Sequence, residues 1–151
     1  MVSNLFLDTS ALAKRYIRET GSTWVENLSD PSAGNVIVVA WLVEVELFSL
    51  FARRHREKAL SAADLTTLQN EFLTHAETAY LVVPIDETNL TWARDLVSRY
   101  QLRALDAIHL ACAVKAQAIL GEPLTFISAD VNQLTAASGE GFATDSPLAH
   151  P

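Results

Sequence analysis

Asp8, Glu46, Asp106 and Asp130 are acids set among apolar neighbours. Asp8 ends the run Leu5-Phe-Leu7, and Glu46 lies within Leu42-Val-Glu-Val-Glu-Leu-Phe-Ser-Leu-Phe51. Asp106 sits inside Leu105-Asp-Ala-Ile-His-Leu-Ala-Cys112, and Asp130 follows closely on Phe126-Ile127. The other acids of the chain stand mostly in polar surroundings. A carboxylate stripped of water without a partner is costly, and two of them ~4 Å apart repel by about 4 kcal/mol at an effective dielectric of about 20. If the fold gathers all four, a bound cation or raised pKa values must resolve the repulsion. Oxygen ligands select a hard cation, Mg²⁺ or Mn²⁺. An ion held this way with open water positions suits phosphoryl chemistry, because it polarises the phosphate, acidifies a bound water and aligns the attacking and leaving oxygens.

Each acid also has a purely structural role open to it. Asp8, Asp106 and Asp130 all stand where a helix N-cap is expected. Glu44 and Glu46 lie about 200° apart around a helix, so they cannot share a face, and spacing alone does not choose between them. His109 lies one turn after Asp106 on the same face, and reads as a packed, hydrogen-bonded histidine rather than a base or ligand.

The elements that would carry these residues alternate. Short apolar runs at Asn4–Leu7, Val36–Val39, Tyr80–Val83 and Leu124–Ile127 read as strands, with a possible edge strand at Phe142–Thr144. Helical patterns lie between them. One runs from Ala11 to Arg18, capped by Thr9 or Ser10 and ended by Gly21, and a second covers Ser22–Leu28. Others span Trp41–Lys58, a stretch capped by Ser61, Asp86–Tyr100, Ala104–Leu120 and Asp130–Ala137. This alternation predicts an α/β fold with a mostly parallel central sheet of four to five strands flanked by helices. Ligands of such sheets bind outside the carboxyl ends of the strands, where Asp8 and Asp130 fall.

Bulk properties narrow the class. The 151 residues, half of them apolar, predict one domain over residues 1–151. The longest uncharged apolar run, Val36–Val43, is far short of the ~20 residues that span a bilayer, and the first residues lack a basic leader, so a cytoplasmic location without a membrane anchor is expected. A lone Cys112 excludes an internal disulfide and a cysteine-based zinc cluster. The net charge of −7 argues against non-specific coating of nucleic acid, so any phosphate-binding surface must be a local patch. Lys14, Arg15 and Arg18, then Arg53, Arg54 and Arg56, then Arg99 and Arg103 lie near the acids and are the candidates for RNA contact.

Four segments then match one family in order. Leu5-Phe-Leu-Asp-Thr-Ser-Ala-Leu-Ala-Lys14, Val45-Glu-Leu-Phe-Ser-Leu-Phe-Ala-Arg53, Leu102-Arg-Ala-Leu-Asp-Ala-Ile-His-Leu-Ala111 and Phe126-Ile-Ser-Ala-Asp130 resemble the motifs of the PIN-domain ribonucleases, and within them the VapC-like toxins of toxin–antitoxin pairs. The third is the most distinctive. One departure is Trp41-Leu42, where the family commonly has small Ser or Thr before the Glu. The resemblance implies a PIN-like three-layer fold and a metal-dependent endoribonuclease with Asp8, Glu46, Asp106 and Asp130 as the acidic site. It implies Mg²⁺ or Mn²⁺ on Asp8, Asp106 and Asp130, with Glu46, favoured over Glu44 by the family alignment, activating water. It also implies an RNA substrate, a cognate antitoxin and a homodimer. Thr9 and Ser10 would support a ligand or the phosphate.

Two alternatives stay open: a catalytically silent PIN-like binding module, and a general RNA-processing nuclease without an antitoxin. Phosphotransfer domains of the dehalogenase type want a second Asp at position 10, which is Ser10, and receiver domains want paired acids that this chain lacks.

Overall fold

The computed structural model describes residues 2–151. Five strands form one sheet: β1 (Asn4–Leu7), β2 (Val36–Ala40), β3 (Tyr80–Val83), β4 (Thr125–Ile127) and β5 (Ala143–Asp145). Every pairing is parallel, and the order is β3-β2-β1-β4-β5. The chain therefore builds outward from β1 through β2 to β3, then returns to lay β4 and β5 on the other flank. The direction reverses between β1 and β4, which opens a crevice beyond their carboxyl ends.

The strands are apolar almost throughout because helices cover both faces. Side chains alternate along each strand. Leu5, Leu7, Ile37, Val39 and Ile127 face one layer, made by α1 (Thr9–Tyr16), α2 (Ser22–Ser29), α3 (Leu42–Arg56) and α4 (Ala62–Thr78). Phe6, Val38, Ala40 and Phe126 face the other, made by α5 (Glu87–Arg99), α6 (Ala104–Leu120) and α7 (Val131–Gly139). Phe6 and Phe126 stack at 5.3 Å across β1 and β4, and burying such a ring is worth about 1.5–3 kcal/mol. The result is the three-layer α/β/α arrangement, with five strands and all of them parallel.

Helix α6 runs through the second layer. Ala107, Ala111, Ala113 and Ala116 are small enough to let it lie close against the sheet, and Gly121 at φ 65° ends it. It packs antiparallel to α5 through Lys115–Asp86 at 2.6 Å and the Asn89 amide on Cys112 Sγ at 3.5 Å. Cys112 is buried, as a small core residue should be. The first turn of α6, carrying Asp106, comes out beside the crevice.

Some local expectations need correction. The cap of α1 is Asp8, which accepts from the Ala11 N–H at 3.0 Å, so the hydroxyls of Thr9 and Ser10 are free for other partners. Helix α1 ends at Tyr16 rather than Arg18, because the buried Tyr16 hydroxyl is fixed to Tyr80 at 2.6 Å and His75 at 2.7 Å while Ile17 turns extended. Gly21, at φ 89°, lies under Pro147, where a Cβ would stand 2.5 Å from the Pro147 carbonyl oxygen. The edge strand begins one residue later than expected, at Ala143. Among the described residues, no helix is long and apolar enough to cross a membrane.

Candidate active site

Asp8 leaves β1 at the crevice and is almost wholly buried. Its Oδ1 accepts from the Ser10 hydroxyl at 2.7 Å and the Ala11 N–H at 3.0 Å, and its Oδ2 from the Ser128 hydroxyl at 2.6 Å. Burial raises its pKa above the ordinary carboxylate value; neighbouring His109 and the hydrogen bonds from Ser128, Ser10 and Ala11 act in the opposite direction without cancelling it. A fully dehydrated carboxyl thus keeps a tendency to hold a proton unless more positive charge arrives.

Ser128 ties Asp8 to the next acid. It follows β4 directly, and its hydroxyl accepts from the Asp130 N–H at 3.0 Å. Asp130 caps α7, accepting from the Asn132 and Gln133 N–H groups at 2.8 and 3.2 Å on Oδ1. Its Oδ2 lies 3.9 Å from the Arg103 guanidinium, which also reaches Asp106 Oδ2 at 3.3 Å. Asp106 is the third residue of α6 and caps nothing, because that helix already starts at Ala104 with Arg103 at its N-cap. Gln133, fully buried on α7, donates to the Asp106 carbonyl at 2.9 Å and holds the two helix starts together.

Glu46 enters from α3 and lines the groove described below. Its Oε1 accepts from the Thr9 hydroxyl at 2.8 Å and from Nε2 of His109. Burial opposes its ionisation, yet the hydrogen bond from His109, the Thr9 hydroxyl and the charge of Arg103 hold its pKa below the ordinary glutamate value. Glu46 is therefore ionised through the neutral range.

The four acids thus come from the ends of β1 and β4 and from α3 and α6, and they surround the switch point. One connected path of contacts runs Glu46–Thr9–Asp8 along the chain, then through Ser128 to Asp130 and through Arg103 to Asp106. As arranged, and among the described residues, no three His, Cys, Asp or Glu side chains stand close enough to hold a metal ion. The donors still fit a hard cation. All are carboxylate oxygens, and Asp106 and Asp130 already share one positive group, the highly exposed side chain of Arg103.

Beside the acids lies an open groove of about 700 Å³, lined by Thr9, Ser10, Glu46 and Ser49 and by the cations Lys14, Arg53, Arg54 and Arg103. Lys14 is buried against Glu19 at 3.5 Å. Other basic candidates point elsewhere. Arg15 donates to the Tyr80 hydroxyl at 2.7 Å, a helix step of about 100° having turned it away from Lys14. Arg18 pairs with Glu26, and Arg99 with Glu140 and Asp95. Ser128 was not singled out from sequence; its only signal is a hydroxyl two residues before Asp130.

The PIN-domain family model matches residues 5–133, the span that holds all four acids. The fold is similar to that of FitAcB from Neisseria gonorrhoeae, with a TM-score of 0.68 and 15% identity over 97% of this chain and 98% of that one. It is similar to a toxin–antitoxin complex from Klebsiella pneumoniae, at 0.62 and 17% over 95% and 97%. It also resembles the sarcin–ricin loop cleaving toxin VapC20 of Mycobacterium tuberculosis, at 0.63 and 18% over 92% and 96%. At these identities the likeness is one of fold. No curated protein matches the chain by sequence.

A carboxyl whose folded-state pKa is raised destabilises the fold once ionised: its contribution is intact below the unfolded pKa, about 3.9, and is lost as pH rises through the folded value. Asp8→Asn should therefore melt above the wild type at pH 7 in EDTA, with the gap closing as pH falls toward 4. Thermal unfolding across that range checks it, and a variant that melts lower at pH 7 contradicts it.

Proposed function

The chain belongs to the PIN-domain family, and from that membership and the acids beside a cation-lined groove we propose that it is a metal-dependent endoribonuclease, the toxin of a toxin–antitoxin pair. The observation that carries this reading is the chain of contacts, through Thr9, Ser128 and Arg103, that links four carboxylates from distant parts of the chain around the switch point, beside a cation-lined groove.

Asp8, Asp106 and Asp130 would hold Mg²⁺ or Mn²⁺, with the Arg103 guanidinium withdrawing from between the last two. The bound ion supplies Lewis-acid polarisation of the scissile phosphate and acidifies the attacking water. Glu46 orients that water and accepts its proton. The water oxygen bonds to phosphorus as the bond from phosphorus to the 3′ oxygen breaks; the 3′ oxygen takes a proton from solvent and the phosphate stays on the 5′ end of the downstream fragment. Ser10 and Ser128 keep Asp8 in place. Lys14, Arg53, Arg54 and the released Arg103 hold the flanking phosphates, which gives an acidic protein a local anion-binding strip.

The antitoxin reading draws on the Klebsiella relative, solved as a toxin–antitoxin complex. Val45 and Leu105 stand exposed on the groove wall and offer apolar surface to such a partner, whose basic side chain would pair with the acids. The protein acts in the cytoplasm as a homodimer on this reading. The contact of Arg103 with Asp106 and Asp130 favours one other reading, a silent module whose acids are permanently neutralised from within.

Incubation with total cellular RNA separates the two. The endonuclease cuts with Mg²⁺ or Mn²⁺ and stops in EDTA, and Glu46→Gln loses at least about 100-fold in rate; metal-independent or absent cutting would reject it. If Arg103 competes with the ion, Arg103→Gln should bind Mn²⁺ severalfold more tightly than wild type by calorimetry. Equal affinity would show that the guanidinium is no competitor.

A further inference from the structure

His109 is buried in α6, with 1% of its surface exposed. Its Nδ1 is buried without any hydrogen-bond partner. All of its polar contact is made at Nε2, with Glu46 Oε1 and with Thr9 Oγ1 at 3.1 Å. A core histidine kept only to fill space would be better replaced by an apolar side chain, since an unpartnered buried nitrogen is destabilising. What the imidazole adds is the contact at Nε2. Thr9 donates to the same Oε1 at 2.8 Å, so two side chains from two different elements grip one oxygen of Glu46. Among the described residues, Oε2 has no protein partner, and Glu46 lines the groove.

We propose that His109 is a positioning residue for Glu46: with Thr9 it clamps Oε1, so that Oε2 is presented to the groove as the oxygen that receives the proton of the attacking water. This rests on the endoribonuclease reading. The clamp fixes a carboxylate that would otherwise turn freely about its last two side-chain bonds, and it spans α1, α3 and α6, so Glu46 keeps its place relative to Asp8 and Asp106. His109 itself is buried and does not line the groove.

The test compares His109→Met, which fills the space without a donor, with His109→Gln, whose amide nitrogen can occupy the Nε2 position. Each is measured with Mn²⁺ on the RNA species that wild type cuts from total cellular RNA, together with Mn²⁺ affinity and thermal unfolding. The expected result is a fall in kcat of about 10- to 100-fold for Met, with KM within about twofold, unchanged Mn²⁺ affinity, and recovery of most of the rate in Gln. Equal losses in Met and Gln, a loss confined to KM, or a loss that follows a lowered melting temperature would overturn the positioning role. Should the Met variant fail to fold, His109→Asn replaces it, because its amide falls at the Nδ1 position; Asn as active as Gln overturns the proposal. A wild type that cuts and a Met variant that cuts equally well reject the clamp alone, whereas a wild type that cuts no RNA with either ion removes the endoribonuclease reading and the clamp with it.

Discussion

Burying the Asp8 carboxyl at the end of the central strand is unfavourable, and the surrounding parts of the molecule each supply part of the answer. The start of α1 gives a backbone N–H, Ser10 and Ser128 give hydroxyls, and α6 brings His109 nearby. Ser10 and the α1 N–H are local to Asp8, whereas Ser128 lies 120 residues away in the chain and meets it only because β1 adjoins β4. The strand order that puts those two side by side is therefore a condition for Asp8 to exist at all. Its raised pKa is the remainder that the protein does not neutralise by itself.

The same logic extends to the rest of the groove. Asp106 and Asp130 hold Arg103, and Glu46 holds His109 and Thr9, so every acid at the switch point is matched by a hydrogen bond or a positive group from the chain itself. Such pairings differ in kind. His109 is sealed in the core, whereas Arg103 reaches across from solvent and loses little entropy or packing when it moves. Where local rules are strained, as by carboxylates on apolar elements, the strain marks function.

Much of this was legible in the sequence, and the failures have physical causes. The strands were visible as short continuous apolar runs, because a strand covered by helices on both faces is apolar throughout, while Gly and Ser mark helix ends. Sheet order was not, since pairing depends on contacts between residues far apart in the chain. The cap of α1 is ambiguous in sequence because Asp8-Thr-Ser10 are three good capping residues in a row, and only the backbone at Asp8 decides among them. Glu44 and Glu46 could not be separated by pattern because α3 is apolar on more than one side. The acids stood out by their apolar neighbours. Ser128 and Gln133 did not, because a Ser or Gln inside a buried segment carries no such contrast, and their importance lies entirely in what they touch.

On the proposed reading, the carboxylates of Asp8, Asp106 and Asp130 together bind a divalent metal ion. Crystals of the protein soaked in Mn²⁺ and measured for anomalous scattering test it most directly. The account predicts a peak at about 2.1 Å from oxygens of these side chains, with the Arg103 guanidinium moved away from Asp106 and Asp130. No peak at saturating Mn²⁺, with Arg103 still bridging the two acids, or a peak elsewhere on the molecule, would contradict it.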